Sequence, residues 1–341
     1  MLVTGGAGYI GAHTSKALYE QGFLPVVYDC LSSGFREAVQ WGPLVEADLR
    51  DGQALAAALR AHRVIAVIHF AGLIEVGRST VKPDLFWEHN VWGTNVLLSA
   101  MRECGVDRLV FSSSAAVYGQ GGRSALEAIP EDAAKAPASP YGDTKLACEW
   151  MIQAQCRAYG LTAVALRYFN AAGADASGTI GESHEPETHL IPLAMAAALG
   201  DGKPLTVFGA DFETPDGTCL RDYIHVTDLA AAHVAALRAE LPAGAFEPVN
   251  VGTGQGRSVL EVVEAVGRAV GRPVPYSVGP RRDGDPPSLV ADPARAGLLL
   301  NWRAGRSSLD RIVADALRWE RAPAYGAGVR GSRKITADRI A

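Results

Sequence analysis

The sequence predicts an α/β chain: a doubly wound parallel sheet followed by a smaller α/β domain. Three observations carry this expectation. Short apolar runs alternate with helical stretches through the first half of the chain, the pattern of strand–helix–strand units. The first run leads straight into Gly5-x-x-Gly8-x-x-Gly11 and then a helix; a glycine turn at a helix N-terminus suits a pyrophosphate. Val64-Ile-Ala-Val-Ile-His-Phe-Ala71 is continuously apolar, as expected of a parallel strand buried on both faces.

The chain has 341 residues, 48% hydrophobic and 20% charged, with a net charge of −5. That length suits one large or two coupled domains, and the composition is that of a soluble globular protein. No basic block is present, so neither nucleic acid nor an anionic membrane is expected as the main partner. No apolar run reaches the roughly 18 residues of a membrane span, and no secretory signal is read at the N-terminus. Cys30, Cys104, Cys148, Cys156 and Cys219 are scattered, and no Cys-x-x-Cys or His/Cys group has metal spacing. Reduced thiols, no metal and a cytoplasmic location are therefore expected.

In order, residues 1–4 form the first strand, and the helix after the glycines runs over 12–21. Pro25-Val-Val-Tyr-Asp29 is the second strand. Its terminal acid can accept from a ribose diol and would repel a 2′-phosphate, which favours NAD over NADP. A short strand at 44–48 ends in Asp48, which could meet an adenine amino group. A helix over 52–62 precedes the strand at 64–71. Within that strand His69 reads as a packed core histidine, and Ala71-Gly72 as a place where backbone touches a ligand. Residues 84–104 read as one long helix, from which Asn90 could reach inward. Leu109-Val-Phe-Ser-Ser-Ser114 is the next strand, and its hydroxyls stand at the carboxyl edge where doubly wound sheets bind ligands. Ser114 can hydrogen-bond a substrate hydroxyl or its alkoxide. With no His–Asp pair near it in sequence, it makes no case as a nucleophile. A polar, proline-rich loop spans 120–140.

Ser139-Pro-Tyr-Gly-Asp-Thr-Lys145 reads as the opening turn of a helix, with Ser139 as N-cap and Pro140 at the first helical position. Tyr141 and Lys145 then share a face, one turn apart. A free phenol titrates near 10 and is a poor base at neutral pH. A neighbouring ammonium and a helix N-terminus both favour the phenolate. Lowering the phenol by about three units needs roughly 4 kcal/mol. The expectation is a tyrosine base able to take a proton from an alcohol.

After a sixth strand ending in Phe169-Asn170, the composition shifts. Residues 171–188 read as a loop, 190–199 as a short helix and 205–209 as a strand. A strand and helix follow over 221–238. Pro248-Val-Asn-Val-Gly252 reads as a late strand returning to the main sheet. Helices are expected over 259–270 and 308–320, and the tail from Gly326 as poorly ordered. The expected domains are 1–170, rejoined by parts of 222–255, then 171–325, then the tail at 326–341. Arg221, Arg281 and Arg282 stand apart in this half; arginines clamp phosphate, so a diphosphate-bearing substrate is one reading and solvated surface arginines the other.

Seven motifs together carry a resemblance: Thr-Gly-Gly-Ala-Gly-Tyr-Ile-Gly, His-Phe-Ala-Gly-Leu, Ser-Ser-Ser-Ala-Ala-Val-Tyr-Gly, Ser-Pro-Tyr-Gly-Asp-Thr-Lys, Leu-Arg-Tyr-Phe-Asn, Asp-Gly-Thr-Cys-Leu-Arg-Asp-Tyr-Ile-His-Val and Pro-Arg-Arg-Asp-Gly-Asp. Over roughly residues 1–322 the chain resembles the extended short-chain dehydrogenase/reductases, with their Rossmann-like fold, and within them the UDP-glucose (UDP-galactose) 4-epimerases. The resemblance implies tightly held NAD, a UDP-hexose inverted at C4 through a 4-keto sugar, a role in galactose metabolism, and a homodimer built from helices of the first domain. It implies that Gly5, Gly8, Tyr9, Ile10 and Gly11 hold the pyrophosphate. Asp29, Cys30, Leu31, Ser32, Ser33 and Gly34 would hold the adenosine ribose, and Asp48 and Leu49 would line the adenine. Phe70, Ala71, Gly72, Leu73, Asn90, Ser112 and Phe169 would border the rest of the cofactor. Tyr141 would be the base, Lys145 its partner on the nicotinamide ribose, and Ser114 the bridge to the sugar hydroxyl. Asn170, His189, Leu190, Thr206, Val207, Phe208, Arg221, Arg282, Asp285 and Leu289 would meet the nucleotide sugar.

Four positions depart from the pattern. Ile74 stands where a lysine often lies near the pyrophosphate, His189 replaces an asparagine, and Ala116 replaces a threonine. Leu289 occupies the position that gates N-acetylated sugars, where tyrosine excludes them and a small residue admits them. UDP-N-acetylhexosamine and UDP-pentose therefore stay open as substrates. Ala115 and Ala116 argue against a 4,6-dehydratase, which by resemblance has an acid there. The Tyr-x-x-x-Lys pair argues against a non-catalytic NAD sensor.

Overall fold

Parallel strands alternate with helices through the first half of a computed structural model that describes residues 1–119, 127–282 and 284–326. The strands are β1 (Leu2–Thr4), β2 (Val26–Asp29), β3 (Leu44–Glu46), β4 (Val67–His69), β5 (Arg108–Ser114) and β6 (Thr162–Tyr168). Between them run α1 (Tyr9–Glu20), α2 (Gly52–Ala61), α3 (Val76–Val81), α4 (Pro83–Phe86), α5 (Gly93–Glu103) and α6 (Pro140–Tyr159). The second half adds β7 (Asn170–Ala172), α7 (Leu190–Leu199), β8 (Leu205–Phe208), β9 (Leu220–His225), α8 (Val226–Arg238) and β10 (Phe246–Val251). It closes with β11 (Gly256–Ser258), α9 (Val259–Val270), β12 (Tyr276–Gly279), β13 (Ser288–Leu289), α10 (Ala294–Leu300) and α11 (Leu309–Arg321).

The main sheet has seven parallel strands in the order β10-β6-β5-β4-β1-β2-β3. The strand order reverses between β1 and β4, and beyond the carboxyl ends at such a switch point ligands bind. Successive residues of each strand feed opposite layers. Leu2, Val67 and Leu109 pack with Leu55, Leu59, Leu97, Met101 and Ile152 of α2, α5 and α6. Val3, Ile68 and Val110 pack with Leu18, Leu229, Val234 and Leu300 of α1, α8 and α10. Both faces are thus covered, which is why the strands read as unbroken apolar runs. The second half has its own core, where Ile191, Met195, Val262, Val266, Ile312 and Val313 of α7, α9 and α11 meet. Among the described residues no helix is long and apolar enough to cross a membrane.

Several sequence expectations shift here. The late strand does join the main sheet, as β10 beside β6. The strand before α8 does not; β9 pairs instead with β7, β11 and β13. The helix after the glycines begins at Tyr9, earlier than expected, because the N–H groups of the first turn need only a Gly8 cap. The loop expected at 171–188 opens with the end of β7. Residues 84–104 are not one regular helix: a π-helical stretch over Trp87–Trp92 separates α4 from α5. The tail residues 327–341 and the loop residues 120–126 lie outside the described residues.

Candidate active site

The glycine turn leaves β1 at Thr4 and enters α1 at Tyr9. Gly5 has φ +69°, and a Cβ there would stand 2.6 Å from the Ala71 nitrogen; a Cβ on Gly11 would stand 2.2 Å from the Gly5 oxygen. Neither position tolerates a side chain, so the spacing read from the sequence is a packing requirement. Gly8 caps α1 with no side-chain hydrogen bond, which leaves the first-turn N–H groups of α1 open to an anion. This turn therefore fits a dinucleotide pyrophosphate. The Tyr9 hydroxyl donates to the Gly173 oxygen at 2.6 Å, so only the backbone of Tyr9 remains for a phosphate.

Asp29 ends β2. Its carboxylate accepts from the Ala7 N–H at 3.0 Å and the Leu31 N–H at 2.8 Å. Burial raises its pKa and those two bonds pull it back. Each oxygen keeps a free lone pair, as a ribose diol requires. Asp48 is more committed: Arg50 donates to it from Nε at 2.9 Å and from its guanidinium at 2.7 Å. That guanidinium holds Asp48 down at about 2.

Phe70 and Ala71 leave β4 with their N–H groups on the Thr4 oxygen at 2.9 and 3.2 Å. The Phe70 ring lies 4.6 Å from that of His233, inside the layer against α8, so its side chain is core and only its backbone faces the cleft. Asn90 does reach inward from its helix. It is buried, accepts from the Leu73 N–H at 2.7 Å, and donates to the Leu73 oxygen at 3.0 Å and Thr144 at 3.1 Å. Asn90 positions the 71–73 backbone. His69 is a core histidine as expected, bonded to Thr4 and Thr94 at 2.7 and 2.9 Å.

Tyr141, Lys145 and Ser114 meet at the carboxyl edge of the sheet, on the side where the glycine turn leaves β1. Ser139 caps α6 by accepting from the Gly142 N–H at 3.3 Å, and the Tyr141 N–H donates to Ser79 at 3.2 Å. Lys145 Nζ donates to the Ser112 oxygen at 2.9 Å and lies 5.8 Å from the Tyr141 ring centre. The expected acidic phenol does not emerge from these groups alone. Tyr141 is 9% exposed; burial pushes it up to about 12, and a hydrogen bond with Ser114 offsets only part of that. Lys145 is itself pushed down to about 8 by burial. Desolvation outweighs the ammonium, which is turned toward Ser112. Sequence reasoning missed Tyr168, which ends β6 opposite Ser114 and hydrogen-bonds Ser112. Its position at a strand's carboxyl end was the available signal.

In the second half, Arg221 of β9 and Arg282 both reach Asp285, at 3.3 and 3.1 Å. Arg282 also stacks on Phe208, 4.7 Å from the ring centre. Arg281 points elsewhere, onto Asp211 and the ring of Phe212. Thr206 and Phe208 face outward from β8, while Val207 is buried in the core and offers only backbone. Leu289 pairs with Arg221 across β13 and β9 and packs against a small buried cluster that includes Ala115, Phe169 and Ala291. Leu190 opens α7 and packs on its core, Asn170 opens β7, and His189 lies 2.9 Å from both Glu182 and Glu187. Cys30, Ser32 and Ser33 form an exposed rim after Asp29.

The glycine turn, the strand-end serines and the buried Tyr–Lys pair define a nicotinamide-dinucleotide fold of the extended short-chain type. The chain belongs to the NAD dependent epimerase/dehydratase family, matched over residues 1–252. It is 47% identical over 321 residues to a UDP-glucose 4-epimerase of Rhizobium meliloti, covering 94% of this chain and 96% of that one. Among solved structures it is similar to the UDP-glucose 4-epimerase of Brucella ovis in complex with NAD, with TM-score 0.89, 50% identity and coverage of 93% and 97%. It is also similar to that of Stenotrophomonas maltophila with bound NAD and formylated UDP-arabinopyranose, with TM-score 0.90, 39% identity and coverage of 98% of each chain.

Proposed function

We propose that this chain is an NAD-dependent epimerase that inverts C4 of a UDP-hexose, interconverting UDP-glucose and UDP-galactose through a transient 4-keto sugar. The observation that carries this reading is the meeting of Ser114, Tyr141 and Lys145 on the same sheet edge as the open N-terminus of α1. The turn residues Gly5, Gly8, Ile10 and Gly11 receive the pyrophosphate, Asp29 the adenosine ribose, and the 71–73 backbone the nicotinamide half. When bound, NAD accepts hydride from C4 and returns it to the opposite face, and its pyridinium brings positive charge beside the phenol. Positive charge there would favour the phenolate against the burial that pushes Tyr141 up to about 12. Tyr141 takes the proton from the 4-hydroxyl as the carbonyl forms and gives it back as C4 is reduced. Ser114 holds the same oxygen. Lys145 supports the base and the nicotinamide ribose. Arg221 and Arg282 anchor the diphosphate, and Phe208 and Thr206 border the nucleotide. Firm anchoring of the non-reacting UDP leaves the sugar free to turn between the two hydride steps.

In this reading residues 1–170 with α8 and β10 hold the cofactor, and the rest up to 325 holds the nucleotide sugar. A homodimer joined through helices of the first half is part of it, supported by exposed Trp92 beside α5 and exposed Trp150 on α6. So are a cytoplasmic setting and a place in galactose metabolism; five free, separate thiols support the reducing compartment. The test is incubation of the purified protein with UDP-galactose and no added NAD, with products read by NMR. UDP-glucose is expected, and Tyr141→Phe should lower kcat by about 10²–10⁴-fold with NAD still bound. Near-native turnover by that variant, or loss of water from the sugar, would sink the reading.

A further inference from the structure

Four side chains in the loop ahead of α7 converge: Glu182, His184, Glu187 and His189, whose ligand atoms all lie within 4.8 Å of one another. We propose that this Glu-x-His-x-x-Glu-x-His cluster is a binding site for one divalent transition ion of the zinc type, and that the ion clips the loop in front of the nucleotide-sugar site. No cysteine spacing along the chain suggests a metal; the loop's path brings the four ligands together.

Geometry supports the proposal first. His189 Nδ1 lies 2.9 Å from Glu182 and 2.9 Å from Glu187. His184 Nδ1 lies 3.3 Å from Glu182 and 3.7 Å from Glu187. A tetrahedral shell with bonds of about 2.0–2.2 Å has edges of about 3.3–3.5 Å, so these separations need only small adjustments. The donor set comes second. Two imidazole nitrogens with two carboxylate oxygens suit zinc and its neighbours better than calcium or magnesium, which prefer all-oxygen shells. Two carboxylates also balance one dication. Third, His184 Nδ1 is buried and, although 3.3 Å from Glu182, has no well-aligned hydrogen-bond partner. A buried nitrogen that is poorly hydrogen-bonded is costly, and a metal bond would satisfy it.

The surroundings give the site its place. Side-chain exposure rises from 8% at Glu182 through 20% at His184 and 21% at Glu187 to 43% at His189, so the cluster is closed on the protein side and open beside His189. The Glu182 oxygen accepts from the Trp319 indole at 2.7 Å, tying the loop to α11. The His184 ring stands edge-on to Tyr9 at 6.5 Å, next to the glycine turn. One ion would thus join the loop before α7 to the first turn of α1 and to α11. The placement before a nucleotide-sugar site rests on the proposed function, whereas metal uptake by the cluster is tested independently of it.

The experiment uses the full chain, free of any affinity tag and stripped of metal, titrated with zinc chloride by calorimetry. One equivalent should bind, while calcium and magnesium chloride should not compete. Cobalt(II) in place of zinc should give the intense visible bands of a four-coordinate ion, a readout that needs no variant. His184→Asn and Glu187→Gln should each weaken zinc binding by about 100-fold and abolish those bands while leaving the folded circular dichroism intact. Absence of stoichiometric zinc uptake would overturn the proposal, and so would uptake unchanged in both variants.

Discussion

At the scale of single residues, Lys145 carries a cost that can be measured. It is 4% exposed and makes one hydrogen bond, to the Ser112 oxygen. Burial lowers its pKa from 10.5 to about 8. Between those values the unfolded chain binds a proton that the folded one has lost, so stability rises with pH across that window. The full rise is about 3 kcal/mol. Lys145→Met should remove it, as seen in urea melts of the cofactor-free protein at pH 7.5 and 10; parallel pH curves for the two proteins would contradict this account. Under the proposed function, Leu289 sets substrate breadth. It packs against the buried cluster that includes Phe169 and Ala115, the residue after the strand-end Ser114 in sequence, so a larger ring there should shrink the space around the sugar. Leu289→Tyr should cut turnover of UDP-N-acetylglucosamine by tenfold or more, on the order of 1.4 kcal/mol, and change that of UDP-glucose little. A panel of UDP-sugars compared by NMR reads the ratio directly.

At the scale of elements, the π-helical stretch Trp87–Trp92 is the device that aims Asn90 at the 71–73 loop. Such a turn breaks the regular period and re-aims one side chain, which is why π-turns recur near sites. The Asn90 amide satisfies both the N–H and the oxygen of Leu73. Asn90→Ala would leave the half-buried Leu73 N–H and oxygen without that partner, while Thr144 keeps its bond to the Tyr141 oxygen, at a cost of about 1–3 kcal/mol. The expected outcome is a lower melting temperature together with loss of bound NAD during purification. A variant that melts lower but keeps its NAD would show that the 71–73 backbone does not serve the cofactor. Nothing in the 84–104 stretch announces this turn, since its composition is that of an ordinary amphipathic helix. The glycine turn, by contrast, was legible because Gly5 and Gly11 have no room for a Cβ.

At the scale of the whole molecule, three histidines are sealed in the layers around the sheet. Burial pushes His13 and His233 down to about 4 and His69 down to about 3. Unfolded histidines titrate near 6.5, so below that pH the unfolded chain binds up to three more protons than the folded one. Stability from these groups is intact above pH 6.5 and falls as pH drops toward 4, by as much as about 4 kcal/mol per unit where all three contribute. Urea midpoints at pH 7.5, 6 and 5 test the slope; a flat profile over that range would contradict it. A second whole-chain feature is the buried network around Arg167. It donates to Glu149 at 2.8 and 2.5 Å and to Tyr118 at 2.9 Å, and Glu149 also accepts from Ser113 at 2.5 Å. These bonds tie β5, β6 and α6 together directly behind the strand-end serines.

What the sequence determined by itself is local and periodic: the strand–helix alternation, the glycine turn, the Ser139 cap with Tyr141 and Lys145 one turn apart, and Asp29 at a strand end. Each follows from a short-range rule of sterics, capping or burial pattern that the chain obeys wherever it folds. Tertiary structure alone decided the rest. It set Asn90 on Leu73, turned Phe70 and Val207 into the core, separated Arg281 from Arg282, and brought Glu182, His184, Glu187 and His189 together. It also decided that burial, not the nearby ammonium, sets the pKa of Tyr141. Desolvation and long-range packing depend on which distant segments enclose a group, and spacing along a chain carries no record of that.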